Sequence, residues 1–151
     1  MASVIRGTLI VMVGFVAASI VMMIVETING TIIYPELRKS AAGVKDRQQI
    51  KEIMANAPTG AFVVVLVGWA LGSALGGLMT TVLSRKPAGG RVFTLALLLT
   101  LAGIANNLML PPPLWFWFAT FAVLPTATYA GARIVAPKRP EQTDYPSLQL
   151  G

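Results

Sequence analysis

The chain contains no cysteine and no histidine. Those two absences exclude disulfides, thiolate chemistry, iron–sulfur ligation, histidine-held zinc or haem, and imidazole acid–base work. Charge is scarce too. Asp, Glu, Lys and Arg make up 12% of the 151 residues, about half the share usual in a soluble domain. The net charge of +6 sits mainly at the ends of apolar runs, which suits anionic lipid headgroups and argues against a nucleic-acid partner. There is no low-complexity tract and no clear internal repeat.

What is abundant is apolar surface: 55% of residues are hydrophobic and the mean hydropathy is +0.70. This composition predicts an all-α integral membrane protein, one domain over 1–151 with four transmembrane helices. The first apolar run, 7–25, follows Arg6. It exceeds the roughly 7–15 residues of a signal-peptide core, so the expectation is a retained spanning helix over about 8–33. Glu26 and Asn29 stand near its far end, before Tyr34-Pro35.

Residues 36–58 form the one sizeable polar segment between spans. Ile50, Ile53, Met54 and Ala57 follow helical spacing there, and Asp46 with Gln49 resembles a capping box. The pattern predicts a short amphipathic helix over 45–57, lying on the membrane surface. A solvated connector helix fits the same spacing. The second span is expected over 59–83, then a basic turn, and a third span over 92–110. Pro111-Pro112-Pro113 forms a turn before the fourth, over 114–135. Trp115 and Trp117 open that helix as expected interface anchors. Pro125 should kink it, with Thr126, Thr128 and Tyr129 satisfying freed backbone groups. A polar tail occupies 136–151.

Within the second span, Gly68, Gly72 and Gly76 recur every four residues, flanked by Ser73 and Gly77. This strip lets another helix approach to backbone contact. Packing within the bundle and contact with another chain, homo-oligomeric or not, both fit it. The ends of the first and third spans lie on one side of the membrane, which places Glu26, Asn29, Asn106 and Asn107 at similar depth. Such an intramembrane polar cluster is a candidate site for a proton, a cation or a polar substrate group. An ionised Glu26 is expected to draw on the amides of Asn106 or Asn107. The plainer reading, hydrogen-bonded glue between helices, is the favoured one. The seven methionines are scattered and read as core filler, so no metal site is expected.

Basic residues number seven on the side of the termini and five, offset by three acids, on the other. The positive-inside rule then sets both termini in the cytoplasm.

Several segments together resemble a known pattern. They are Glu26-x-x-Asn29 with Tyr34-Pro35, Gly68-Trp69-Ala70-Leu71-Gly72 with Gly76-Gly77, Gly103-Ile104-x-Asn106, and Leu110-Pro111-x-Pro113-Leu114-Trp115-Phe116-Trp117. Over about residues 7–135 the chain looks like a group of small four-helix bacterial membrane proteins. The resemblance implies that fold and a bacterial inner-membrane setting, and it implies no activity. Members often carry His where this chain has Asn29 and Pro112, so a His-dependent role is not expected here.

The functional expectation is a non-catalytic accessory subunit of a larger membrane assembly, touching other subunits through the glycine face and the tail 136–151. The alternative is a small oligomeric transporter or channel with Glu26 as coupling carboxyl. One carboxyl without His, Cys or a ligand cluster makes a poor catalytic set, so no enzyme is expected. No cofactor is indicated, although lipid, quinone or carotenoid would fit grooves between such helices.

Overall fold

The computed structural model describes residues 2–84 and 89–135. The tail 136–151, expected as a partner contact, lies outside them, as do residues 85–88 of the basic turn. Among the described residues the protein is all-helical, with six α-helices: α1 Ala2–Ile28, α2 Pro35–Ala41, α3 Arg47–Ala55, α4 Thr59–Leu83, α5 Gly89–Met109 and α6 Leu114–Ile134. A π-helical turn, Asn29–Ile33, extends α1. Three segments are long and apolar enough to cross a membrane: Ser3–Ile33, Thr59–Leu83 and Gly89–Met109. The expected fourth, α6, matches α5 in length at 21 residues. Trp, Thr, Pro125, Tyr129 and Arg133 dilute its apolar content, so composition alone supports three spans.

α4 is the hub, packed on α1, α6 and α5. A Cβ at Gly72 would come 2.6 Å from the Ala18 carbonyl oxygen, and one at Gly76 would come 2.8 Å from that of Gly14. Gly68 faces the Val25 side chain, with Cγ1 2.7 Å from its would-be Cβ. Around the corner, Gly77 meets the Thr128 carbonyl, and Gly131 of α6 meets that of Ala74. The glycine strip is therefore filled from within the chain, by α1 on one side and α6 on the other. Ser73, Thr80 and Thr128 are fully buried in this part of the bundle, and Thr120 is buried against Gly103 and Asn107 of α5. Of the three polar residues after Pro125, Thr128 bonds a backbone group, its hydroxyl donating to the Leu124 carbonyl at 2.7 Å. Thr126 and Tyr129 are exposed.

The segment between α1 and α4 differs from the expectation. Pro35 both stops the preceding turn and starts α2 at its first position, where a missing N–H costs nothing. Gly43, at φ 77°, makes the turn to α3, a conformation disfavoured for residues with a Cβ. Asp46 caps α3, accepting from the Gln48 N–H at 3.1 Å. Ile50 and Met54 of α3 are buried in one cluster with Phe62, Trp69, Phe116 and Leu124, so α2–α3 forms a roof over one end of the bundle.

Candidate functional site: a polar pocket under the α2–α3 roof

Glu26 is the one acidic residue in α1, α4, α5 and α6. Its Oε1 accepts a hydrogen bond from Trp69 Nε1 at 2.7 Å. The indole N–H is a donor only, and Trp69 is 3% exposed in an otherwise apolar stretch, so it needs an acceptor nearby. The ring is fixed edge-on to Phe116 at 5.5 Å, and Phe116 packs in turn on Phe62 at 5.5 Å.

Asn29 opens the π-helical turn and donates through Nδ2 to the Ala61 carbonyl of α4 at 3.0 Å. Asn107, near the end of α5, donates through Nδ2 to Thr120 Oγ1 at 3.1 Å. In both carboxamides the amide nitrogen is the bonded end. The Ala61 carbonyl only accepts. The Thr120 hydroxyl spends its hydrogen on the Phe116 carbonyl at 2.8 Å, so it too accepts from Asn107. The remaining end of each side chain is therefore an acceptor oxygen. Both residues are buried, at 7% and 1% exposure, and neither oxygen has a hydrogen-bond partner.

These residues border one cavity of about 210 Å³, together with Asn106, Tyr34 and the exposed Arg38 of α2. Leu37, Met54, Phe62 and Phe116 make the apolar part of its wall. A second hollow of about 180 Å³ runs between α1 and α5, lined by Met22, Met23, Leu99, Ala102 and Gly103. Glu26 and Asn106 border both spaces. Toward the other end the two helices close, with Val11, Ala18, Leu95 and Leu99 in contact.

The structure thus gathers Glu26, Asn29, Asn106 and Asn107 around one space without bonding them to one another. Glu26 draws on Trp69 and not on the asparagines. The glycines and Ser73 are packing elements away from the pocket. Trp115 is 40% exposed and meets Phe62 edge-on at 6.2 Å, while the residue between the two tryptophans, Phe116, is the buried one. Sequence reasoning missed Trp69, Thr120 and Arg38. A signal existed for the first: a tryptophan inside a charge-free helix needs an acceptor, and one carboxylate lies in the spans. Among the described residues no group of three or more acidic, His or Cys side chains is placed to hold a metal ion. No protein-family model, curated protein or solved structure matches this chain.

Proposed function

We propose that this chain is a non-catalytic four-span protein of the bacterial cytoplasmic membrane that holds a polar ligand in the pocket beside Glu26. The observation that carries this reading is the cavity of about 210 Å³ bordered by Glu26, the one acidic residue of the long helices, together with Asn29, Asn106 and Asn107. Ionisable and amide side chains are expensive within spanning helices, and their gathering at one space marks a binding site.

α6 serves as the fourth span in this reading: it is as long as α5, turns back on it through three prolines, and shares a backbone-contact seam with α4. Four spans set Arg6, Arg91 and Arg133 on the cytoplasmic side and the pocket on the other. The accessory-subunit reading ranks second, because the glycine face on which it leaned is occupied within the chain. A transport role with Glu26 as coupling carboxyl needs a route past the Val11, Ala18, Leu95 and Leu99 closure.

The test is native mass spectrometry of the particle extracted from its own membrane in mild detergent. The expected result is this chain, alone or with copies of itself, carrying a small ligand that Glu26→Gln loses. A stoichiometric complex with another protein and no small ligand would replace this reading with the accessory one.

A further inference from the structure

We infer that the end of the bundle opposite the roof seats the phosphate of an anionic lipid on the guanidinium of Arg91. This site is separate from the pocket and independent of the reading given for it. Arg91 stands in the first turn of α5, and its side chain lies on α1. Its Nε is 3.4 Å, and its Nη2 3.9 Å, from the point where a Cβ of Gly7 would lie. A glycine there leaves the surface of α1 low enough for the planar group to rest on it, half-buried. Arg6, next to Gly7, and Arg133, in the last turn of α6, are the other described charges at this end.

No carboxylate among the described residues balances them. Glu26 lies at the far end of α1, and Glu36, Asp46 and Glu52 belong to the roof segment. There cations and acids are interleaved, and Lys39 pairs with Glu36 at 2.9 Å. The contrast defines the ligand. Two oxygens of a phosphodiester match the N–H fork of a guanidinium. A headgroup with its own ammonium would add a positive charge to an end that has three and no described acid. A headgroup whose only charge is the phosphate adds none.

Depth points to a lipid as the source. The apolar runs begin at Gly7 in α1 and at Val92 in α5, so Arg91 sits at the border between hydrocarbon and headgroups. Beyond that border Leu9 and Val13 of α1, with Phe93 and Leu97 of α5, are exposed. Acyl chains can lie on these outward faces while the phosphate is held, and a soluble phosphate ester would gain nothing from them.

The experiment is native mass spectrometry of the delipidated full-length protein, incubated with equal amounts of phosphatidylglycerol and phosphatidylethanolamine of identical chains. A parallel thermal-shift measurement uses free glycerol 3-phosphate. Each basic residue near such a charge contributes about fivefold, so phosphatidylglycerol should be retained over phosphatidylethanolamine by about tenfold or more. Arg91→Gln should cut that preference about fivefold. Gly7→Leu, which fills the seat of the guanidinium, should do the same and keeps the test open if the first variant fails to fold. Lys45→Gln in the roof segment and Glu26→Gln at the pocket should leave it unchanged. Equal retention of the two lipids overturns the inference, as does a preference that survives both Arg91→Gln and Gly7→Leu. Loss of the preference in Lys45→Gln overturns it by moving the site to the roof. An Arg91-dependent thermal shift with glycerol 3-phosphate and no lipid selectivity overturns the lipid as the source of the phosphate.

Discussion

The two halves of α4 pack by opposite rules. From Gly72 onward it is pressed between α1 and α6 at backbone contact, with Gly72, Gly76 and Gly77 on its own surface and Gly14 and Gly131 on its neighbours. From Thr59 to Trp69 the neighbours are large or polar: Phe62 on Phe116, Trp69 on Glu26, Ala61 on Asn29. The first half has shape and almost no hydrogen bonding between helices. The second has hydrogen bonds and space left over. In lipid, where burying apolar surface gives helices little reason to associate, close packing of small residues holds the closed half. That hold lets the other half keep a cavity beside Glu26.

The largest effect expected is on the closed half. Gly131→Leu or Gly77→Leu would drive a side chain into the backbone of the facing helix, where no rotamer change relieves it. The cost should exceed the roughly 1–3 kcal/mol of ordinary overpacking, enough to abolish accumulation in the membrane. Gly72→Leu, opposite the Ala18 carbonyl, should be nearly as severe. Gly89→Leu is the control, since a Cβ there meets nothing within 4 Å. Equal yields of Gly131→Leu and Gly89→Leu, judged by immunoblot and size-exclusion profile, would contradict the backbone-contact seam.

Next in size is Trp69→Phe, which keeps the ring against Phe116 and deletes the donor to Glu26. The loss should be about 1.5–3 kcal/mol, the range for hydrogen bonds to charged groups. Detergent unfolding of Trp69→Phe, Glu26→Gln and the double variant would show the link: the double should cost less than the sum of the singles. Strict additivity would mean that the indole and the carboxylate do not stabilise each other.

This contrast also explains how much was legible in the sequence. Periodicity and hydropathy place the long helices because each apolar run is bounded by Pro, Gly or charge, signals local to the chain. The glycine strip announced a close approach, but local spacing does not say whose helix approaches. α1 and α6 answer that, and both are distant in sequence. The four polar residues border one space, but the bonds expected between them are not made. Depth along a helix is countable, which put Glu26, Asn29, Asn106 and Asn107 near one another. Azimuth around the helix is not fixed until neighbours pack, so Trp69 donates to Glu26 in place of the asparagines, and Asn107 donates to Thr120 in place of Glu26. The amphipathic spacing over 45–57 likewise shows that an apolar partner exists and does not name the buried cluster with Phe62 and Phe116.

Asn107→Leu sharpens the comparison by separating stability from ligand holding. It removes an acceptor that has no partner, and Thr120 keeps its bond to the Phe116 carbonyl. The unliganded protein should change by less than about 1 kcal/mol, because one buried hydrogen bond and one buried unpaired oxygen are lost together. Ligand retention should fall, because Asn107 borders the cavity. Destabilisation of several kcal/mol without ligand would make Asn107 structural glue, as the plainer reading of the sequence had it.

The smallest effect expected is at the roof. Gly43→Ala places a Cβ at φ 77°, which costs on the order of 1 kcal/mol and meets nothing within 4 Å. The penalty is therefore purely conformational and confined to the turn between α2 and α3. Those helices hold the bundle through Ile50, Met54 and Leu37 rather than through backbone-contact seams. If the two halves are energetically separate, amide hydrogen exchange in α2 and α3 should rise about fivefold, while α4 beyond Gly72 stays as protected as before. Leu37, Arg38, Ala41 and Met54 line the cavity from the roof, so ligand release should quicken by a similar factor. A rise in exchange that spreads along α4 to Gly76 would show instead that roof and seam open as one unit, and that the space around Glu26 is held by the whole bundle.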